Sequence, residues 1–207
     1  MSIIDQLTIA DIQQCLRVQA PPVYDVPTSS VESLTYREAA VLVPLVRLQE
    51  QWHVLYIRRP HYEGDMHSGQ VAFAGGKRDP EDADLMITAL RETYEEIGVK
   101  PEHVQVLGQL TPHHSISQFR ITPTVGTLDW PYALTLNPLE VARAFTIPLH
   151  WLDQPEHHEV RYRPIPRLTE PVPVVYFQEY DNELLWGTTA RITLAFLACL
   201  RASLLNR

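Results

Sequence analysis

The chain alternates between stretches with strand periodicity and stretches with helical periodicity. Runs of β-branched and other apolar residues predict strands, and the first two (39–47 and 52–58) form a predicted antiparallel pair because only four residues separate them. Further strands are predicted at 70–74, 104–110, 121–128, 144–147, 160–165 and 172–177. An amphipathic helix is predicted at 8–18, and a helix with broad apolar periodicity, expected to pack against the sheet, at 186–205. The two kinds of element follow one another without a regular βαβ rhythm. We therefore expect an α/β (α+β) fold, with a mixed β-sheet in an α/β/α sandwich.

A third predicted helix lies in the middle of the chain. It begins near Asp82 or Asp84 and ends at Ile97, because Gly98 is a typical helix terminator. Helical spacing places the following apolar residues on one side: Ala83, Met86, Ile87, Leu90, Tyr94 and Ile97. The opposite side carries Asp84, Thr88, Glu92, Glu95 and Glu96. We expect the apolar side to be buried and the carboxylates to be presented on the other side.

Three carboxylates of this helix, Glu92, Glu95 and Glu96, stand at positions i, i+3 and i+4 and share one face. A solvated acidic surface is the alternative interpretation, but the acids lie in the C-terminal half, where the helix dipole disfavours negative charge. Arg91 flanks the face, and the preceding glycine pair at 75–76 allows close approach of the backbone to a metal or phosphate. Such oxygen ligands suit Mg²⁺ or Mn²⁺. The pattern therefore predicts hydrolysis of a phosphoanhydride, with one acid taking the proton of the attacking water.

Composition and charge indicate the size of the domain and exclude some kinds of partner. The 207 residues are enough for one domain with a substantial core, and the net charge of −8 argues against a nucleic-acid or anionic-membrane partner. No apolar run approaches the ~18–20 residues of a membrane-spanning helix, and the N-terminus lacks the basic region of a secretion signal. We therefore expect a cytoplasmic location. The two cysteines, Cys15 and Cys199, have no metal-ligand spacing and are expected to be buried or idle thiols.

The segment from Gly76 to Val99 resembles the Nudix box. The closest correspondence is in Arg91-Glu92-Thr93-Tyr94-Glu95-Glu96-Ile97-Gly98-Val99, where only Thr93 replaces an aliphatic residue. The glycine-to-arginine spacing is one residue longer than in the general pattern, which is similar to the coenzyme A pyrophosphatase branch of Nudix hydrolases. The stretches His67-Ser68-Gly69-Gln70 and Trp186-Gly187-Thr188-Thr189-Ala190 resemble the same branch. The chain departs from it at Ala74, where the branch has proline, and at Asp65, where the branch has arginine; Arg59 matches an earlier arginine.

The resemblance implies roles for particular residues. Glu92 and Glu96 would be the principal metal ligands, Glu95 a further ligand or the base, and the Gly76 carbonyl an extra ligand. Arg91 would position Glu95 or Asp82. The residues expected to contact substrate are Arg59, His67, Gly69, Gln70, Gly75, Lys77 and Phe119. For His67 a loop-ordering hydrogen bond, and for Lys77 a surface ion pair, are equal alternatives.

The sequence as a whole predicts a Mg²⁺- or Mn²⁺-dependent Nudix pyrophosphatase that cleaves a nucleoside diphosphate linked to another moiety, with coenzyme A and its derivatives ranked first. The alternatives are ADP-ribose, a nucleotide sugar or a dinucleotide as substrate, and a catalytically silent Nudix-like binding module. Residues 1–38 are expected to form an N-terminal helix and connector, and residues 39–207 the hydrolase domain, with the box at about 76–99. The expected partner is a small-molecule nucleotide, with no nucleic acid or membrane; a homodimer is a family-level expectation.

Overall fold

The computed structural model describes residues 2–17, 24, 35–64, 68–164 and 170–205. Most of the predicted connector at 20–33, together with Asp65 and His67, lies outside these residues. The helices are α1 (Ile9–Arg17), α2 (Leu85–Ile97), α3 (Leu149–Leu152) and α4 (Gly187–Leu205), with short 3₁₀ turns at Ile3–Gln6, Pro101–His103 and Pro155–His157. The strands are β1 (Arg37–Leu48), β2 (Gln51–Arg58), β3 (Val71–Ala72), β4 (Gly75–Lys77), β5 (Val104–Gln109), β6 (His113–His114), β7 (Phe119–Leu128), β8 (Arg143–Pro148), β9 (His158–Arg163) and β10 (Val172–Phe177).

Strand β1 organises an eight-stranded mixed sheet with the order β3-β2-β1-β7-β5. It pairs antiparallel with β2 through Leu45↔Val54 and parallel with β7 through Ala39↔Ile121. β4 also pairs with β1, β6 with β7 and β8 with β2, while β9 and β10 form a separate hairpin. The predicted antiparallel pair and the expected mixed sheet are confirmed.

Helices cover both sides of this sheet. Successive residues of β1 point to opposite sides of the sheet: Val43 belongs to a core that includes Ile12 of α1 and Phe196 of α4, and Val46 to a second core that includes Ile97 of α2. Hydrophobic burial on both faces therefore holds the layers together. The described helices include none that is both long enough and apolar enough to cross a membrane.

The two cysteines meet where α1 packs on α4. Cys15 and Cys199 are both buried and unoxidised, which agrees with the expectation of buried thiols. The sequence did not predict that they would be neighbours. A hydrogen bond between the side chains raises the pKa of the Cys15 thiol and lowers the pKa of Cys199.

The boundaries of α2 follow its capping residues. Asp84 is the N-cap, because its side chain accepts a hydrogen bond from the Ile87 backbone N–H at 2.9 Å. Gly98 ends the helix in the left-handed conformation, with φ of 73°, and its N–H bonds to the carbonyl of Tyr94. The predicted helix is therefore confirmed at both ends.

The predicted orientation of α2 is only partly correct: Leu90 and Ile97 are buried as expected, but other residues of the apolar side are not. Ile87 and Tyr94 are 40% and 50% exposed, and Ala83, before the helix, is exposed as well. The residues buried on α2 include Thr88, Thr93 and Glu96. The reason is that α2 packs against β1 and β4, and the small β4 glycines accommodate the polar side of the helix.

The glycine pair also differs from the predicted loop. Gly75 and Gly76 belong to β4, which pairs with β1 through Val41↔Gly75 and Ala40↔Gly76, and the strand predicted at 70–74 is confined to β3. Gly75 has φ of 152°, and a Cβ there would lie 2.3 Å from the Ala40 carbonyl oxygen. Only glycine fits this backbone path.

Candidate active site

The C-terminal half of α2 lies directly beside β4. Glu96 is only 4% exposed, and its Oε2 accepts a hydrogen bond from the Gly75 N–H at 3.1 Å. A Cβ on Gly76 would lie 2.6 Å from the carboxylate carbon and both oxygens of Glu92. The missing side chain of Gly76 therefore makes the space that the Glu92 carboxylate occupies, while the Gly75 N–H holds the carboxylate of Glu96.

Arg91 ties the acidic residues together. Its Nε and Nη2 donate to Oδ1 and Oδ2 of Asp82 at 3.0 and 2.9 Å. Its Nη1 donates to Glu92 Oε1 at 3.0 Å and to Glu95 Oε2 at 3.1 Å, and its Nη2 also reaches the Lys77 carbonyl at 3.2 Å. The Arg91 guanidinium thus holds Glu92 and Glu95, and the bidentate pairing with Asp82 fixes the orientation of the guanidinium plane.

Asp82 is the anchor of this arrangement. It is 5% exposed, and its Oδ2 accepts hydrogen bonds from the Asp79 N–H at 3.0 Å and from Thr88 Oγ1 at 2.8 Å. Arg91 holds the pKa of Asp82 well below its usual range, with the Asp79 and Thr88 bonds adding to the effect. No pattern in the sequence marks Thr88 beyond its helical position.

Burial disfavours the charged forms of Glu92 and Glu96. Burial raises the pKa of Glu96 to about 8, and the charges of Glu140 and Glu92 add to the effect, while the Gly75 N–H opposes it. Burial also raises the pKa of Glu92, against the stabilising influence of Arg91. A cation beside these residues would relieve that cost.

The donor set fits a hard divalent cation in its chemistry. Glu92, Glu95 and Glu96 offer carboxylate oxygens and Gly76 a carbonyl, which are the ligands that Mg²⁺ and Mn²⁺ prefer. Within the described part of the chain, no three His, Cys, Asp or Glu side chains already converge as a metal cluster, because Arg91 and the Gly75 N–H hold the glutamates. A bound ion would have to compete with these hydrogen bonds.

Glu140 is a further carboxylate near Glu92 and Glu96, and the sequence did not predict its place in the site. It lies in a turn whose Asn137 N–H donates to the Glu96 carbonyl at 2.9 Å, and its own N–H donates to the Asn137 carbonyl at 3.0 Å. Its charge acts on both Glu92 and Glu96. The residue is distant in sequence, and no local pattern marks it.

A cleft of about 350 Å³ opens beside β4. Of the residues predicted to contact substrate or metal, Arg59, Gln70, Gly75, Gly76, Lys77, Phe119 and Glu96 line it. Glu92 and Glu95 are not among its lining residues, and His67 lies outside the described residues. Gly69 does not line the cleft either: a Cβ there would lie 2.2 Å from the His61 ring, so the glycine allows close packing of its loop.

The far wall of the cleft comes from α4 and the residue before it. Thr189 Oγ1 donates to the Val71 carbonyl at 3.2 Å, and Arg191, 3% exposed, donates to the His114 carbonyl at 2.6 Å. These bonds attach the start of α4 to β3 on one side and β6 on the other. The apolar periodicity of 186–205 predicts a helix packed on the sheet, but not that the first turns of this helix line the cleft.

Most of the remaining lining of the cleft is apolar. It includes Val41, Ile57, Ile116, Ile121, Val172, Val174, Trp186 and Ile192. Arg59 and Lys77 supply positive charge, and Glu96 lies among the polar residues of the lining. Such a cleft, with a few polar groups in an apolar surface, is typical of a small-molecule site.

The chain is similar to known proteins of one family, both in sequence and in fold. A profile of the NUDIX domain matches residues 35–179. An uncharacterized Nudix hydrolase, NudL, of Photorhabdus laumondii is 36% identical over 195 residues, which cover 90% of this chain and 94% of that protein. A NudL protein of Yersinia pestis is 39% identical over 168 residues, covering 77% and 78%. A MutT/nudix family protein of Enterococcus faecalis has a TM-score of 0.52 at 17% identity, over 95% of this chain and 71% of that one, which concerns the fold alone.

Proposed function

This chain belongs to the NUDIX domain family and is a Nudix hydrolase, and from that premise we propose that it cleaves the diphosphate of coenzyme A and its derivatives. In this reaction water adds to one phosphorus, the bridging P–O bond breaks, and the products are 3′,5′-ADP and 4′-phosphopantetheine or its acylated form. The observation that carries the proposal is a set of carboxylates beside the glycines of β4, with Glu96 buried and Glu92 partly buried, next to a cleft lined by Arg59 and Lys77.

Nudix hydrolases generally use divalent metal ions, and we assign the ion here to Mg²⁺ or Mn²⁺. Glu92, Glu96 and the Gly76 carbonyl would hold it. When bound, the ion neutralises charge on the phosphates and makes the attacking water more acidic. The raised pKa values of Glu92 and Glu96 support this assignment, because a buried carboxylate pair is stable in its charged form only with a cation nearby.

The chain's own residues then have separate tasks. Arg91, fixed by Asp82, keeps Glu92 and Glu95 in place through bonds of 3.0 and 3.1 Å. The Glu95 side chain is 50% exposed, so of the three glutamates it is the most accessible to water. We assign the general base to Glu95, which accepts the proton of the attacking water.

Substrate binding is assigned to the cleft. Lys77 and Arg59 supply positive charge for the phosphates and the apolar walls accept the less polar parts of the ligand. An enclosed volume of about 350 Å³ lies at the small end of ligand sites, which are roughly 300–1,000 Å³. It accommodates part of a nucleotide conjugate, and the rest extends outward.

A substrate panel with the full chain tests the proposal. Coenzyme A, acetyl-coenzyme A, oxidised coenzyme A, ADP-ribose, a nucleotide sugar and a dinucleotide are incubated with Mg²⁺ or Mn²⁺, and products are separated by chromatography. We expect 3′,5′-ADP from the coenzyme A compounds, abolition by a chelator, and recovery on adding either ion. Turnover of ADP-ribose, the nucleotide sugar or the dinucleotide, with the coenzyme A compounds left uncleaved, would overturn the substrate assignment.

Two variants sharpen that test. Glu95→Gln is expected to lower kcat, because it removes the carboxylate that accepts the proton of the attacking water, with little change in KM. Glu95→Asp, which keeps the carboxylate, is the matched control and should retain much more of the rate. A thermal shift with metal and nucleotide, but no turnover of any substrate by the unaltered chain, would instead identify a silent binding module.

A further inference from the structure

Trp186 lies immediately before α4, beyond residues 35–179 matched by the NUDIX profile. It lines the same cleft as Glu96 and Lys77. An antiparallel bridge joins it to Tyr176 of β10, and the two rings are stacked with centroids 5.6 Å apart and planes inclined by 4°. One face of the indole is therefore covered by the protein itself.

The Tyr176 ring is itself supported. The guanidinium of Arg161 lies 4.7 Å from its centroid and that of Arg163 lies 5.8 Å from it, at cation–π distance. Gly187 follows Trp186 with φ of 68°, and Thr189 is bonded to the Val71 carbonyl. The indole is thus held on the side of the β9–β10 hairpin and on the side of the helix.

A second aromatic ring lines the cleft from the sheet. Phe119 begins β7, and the guanidinium of Arg37 lies 4.1 Å from the centroid of its ring. The cleft therefore has one supported aromatic ring on the sheet and another on its far wall. Rigid aromatic surfaces in an apolar cleft favour a planar ligand, because flat rings gain dispersion by stacking without ordering flexible chains.

We propose that Trp186 is a substrate-binding residue that stacks on the adenine base of the substrate and selects for the nucleotide half. The inference rests on the proposed nucleotide substrate and assigns to this ring the recognition of the base. Tyr176 acts as a positioning residue, because it touches the indole and does not line the cleft.

Binding of the two reaction products separates the halves of the substrate. Dissociation constants of 3′,5′-ADP and 4′-phosphopantetheine are measured by calorimetry with the full chain. Trp186→Leu is expected to weaken 3′,5′-ADP about 10- to 100-fold, the worth of one base–aromatic stack, and to leave 4′-phosphopantetheine unchanged. Trp186→Phe keeps an aromatic face and should recover most of the affinity.

The matched control is Trp151→Leu, which removes a tryptophan stacked on His157 at 4.4 Å and outside the cleft lining. It should leave both affinities unchanged. If Trp186→Leu does not fold, an etheno-adenine analogue of 3′,5′-ADP tests the unaltered chain: its fluorescence is quenched on binding if the base stacks on the indole. Unquenched fluorescence of the bound analogue, or equal loss of both ligands in Trp186→Leu, overturns the proposal.

These results are independent of the turnover assay. Cleavage of coenzyme A together with unchanged binding of 3′,5′-ADP by Trp186→Leu refutes the role of Trp186 and leaves the proposed function standing. Trp186-dependent binding of 3′,5′-ADP without cleavage of any coenzyme A compound refutes the proposed function and supports the stacking site.

Discussion

Two single substitutions, Gly76→Ala and Gly75→Ala, should have different effects: the first should lower the catalytic rate and the second the folding stability. In Gly76→Ala the new Cβ would stand 2.6 Å from the carboxylate atoms of Glu92, about 1 Å inside an ordinary separation of ~3.5 Å. The obstructing atoms are the end of a flexible side chain, so the carboxylate moves and the strand stays. We expect the free energy of unfolding to change by no more than about 1 kcal/mol.

Catalysis should respond much more strongly. Displacing a catalytic group by about 1 Å lowers rates by about 100-fold, which corresponds to about 2.7 kcal/mol in the activation free energy. The assay is steady-state kinetics on the best substrate of the panel, with saturating metal, alongside thermal unfolding in chelator. KM should change little, because Glu92 does not line the substrate cleft.

Gly75→Ala is the matched comparison. Its Cβ would lie 2.3 Å from the Ala40 carbonyl oxygen and 2.6 Å from the Val41 Cα, and backbone atoms in a paired strand cannot move aside. The overlap and the φ of 152° together should cost about 2–6 kcal/mol of folding stability. We expect a melting temperature lower by roughly 4 °C or more.

A double-mutant cycle tests the reasoning directly. If Gly76 acts only by leaving room for Glu92, then Gly76→Ala together with Glu92→Gln should be no slower than Glu92→Gln alone. Full activity in Gly76→Ala, or effects that add in the cycle, would show that the Glu92 carboxylate is not held against this strand during catalysis.

Two further variants test the buried acids, by kinetics and by chemical unfolding in chelator. Asp82→Asn should lower the free energy of unfolding by about 3 kcal/mol at neutral pH, because it breaks a buried ion pair with Arg91, and should lower kcat because Arg91 is held less firmly. The pKa of Asp82 is depressed from 3.8, so the difference in stability between the variant and the unaltered chain should shrink as the pH falls below that value. A difference in stability that stays constant with pH would contradict the pairing. Glu96→Gln should lower kcat by orders of magnitude with little loss of stability. The Glu96 pKa rises from 4.5 to about 8 on folding, so the metal-free chain should lose stability as the pH rises between these values. Glu96→Gln should make that decline smaller, leaving the part due to Glu92, whose pKa is also raised. An unchanged slope would contradict the assignment.

Local sequence patterns were enough to predict the limits of α2, the grouping of its carboxylates and the first pair of strands. The limits of α2 could be predicted because Asp84 and Gly98 act on backbone groups of the adjacent turns. The grouping of Glu92, Glu95 and Glu96 could be predicted because i, i+3 and i+4 spacing depends only on helical geometry. The β1–β2 hairpin followed from two apolar runs with a short connection.

Tertiary packing decided which side of α2 is buried. The apolar side of the sequence pattern was expected inside, and Leu90 and Ile97 are buried, yet Ile87 and Tyr94 are exposed while Thr88 and Glu96 are buried as well. Periodicity reports the polarity of a face but not which surface it meets. Here the helix meets a glycine strand whose hydrogen-bond donors and open space suit carboxylates.

The rest of the site depends on approaches between segments distant in sequence. Glu140 comes to Glu96 through the backbone bond of Asn137, and Trp186 reaches the cleft because α4 is attached to β3 and β6. No rule for neighbouring residues predicts such contacts, since strand pairing and layer packing bring them about. The sequence by itself therefore determined the acidic, oxygen-rich chemistry of the site, and only the folded chain decided what surrounds it, because burial and long-range contact are properties of the packed layers.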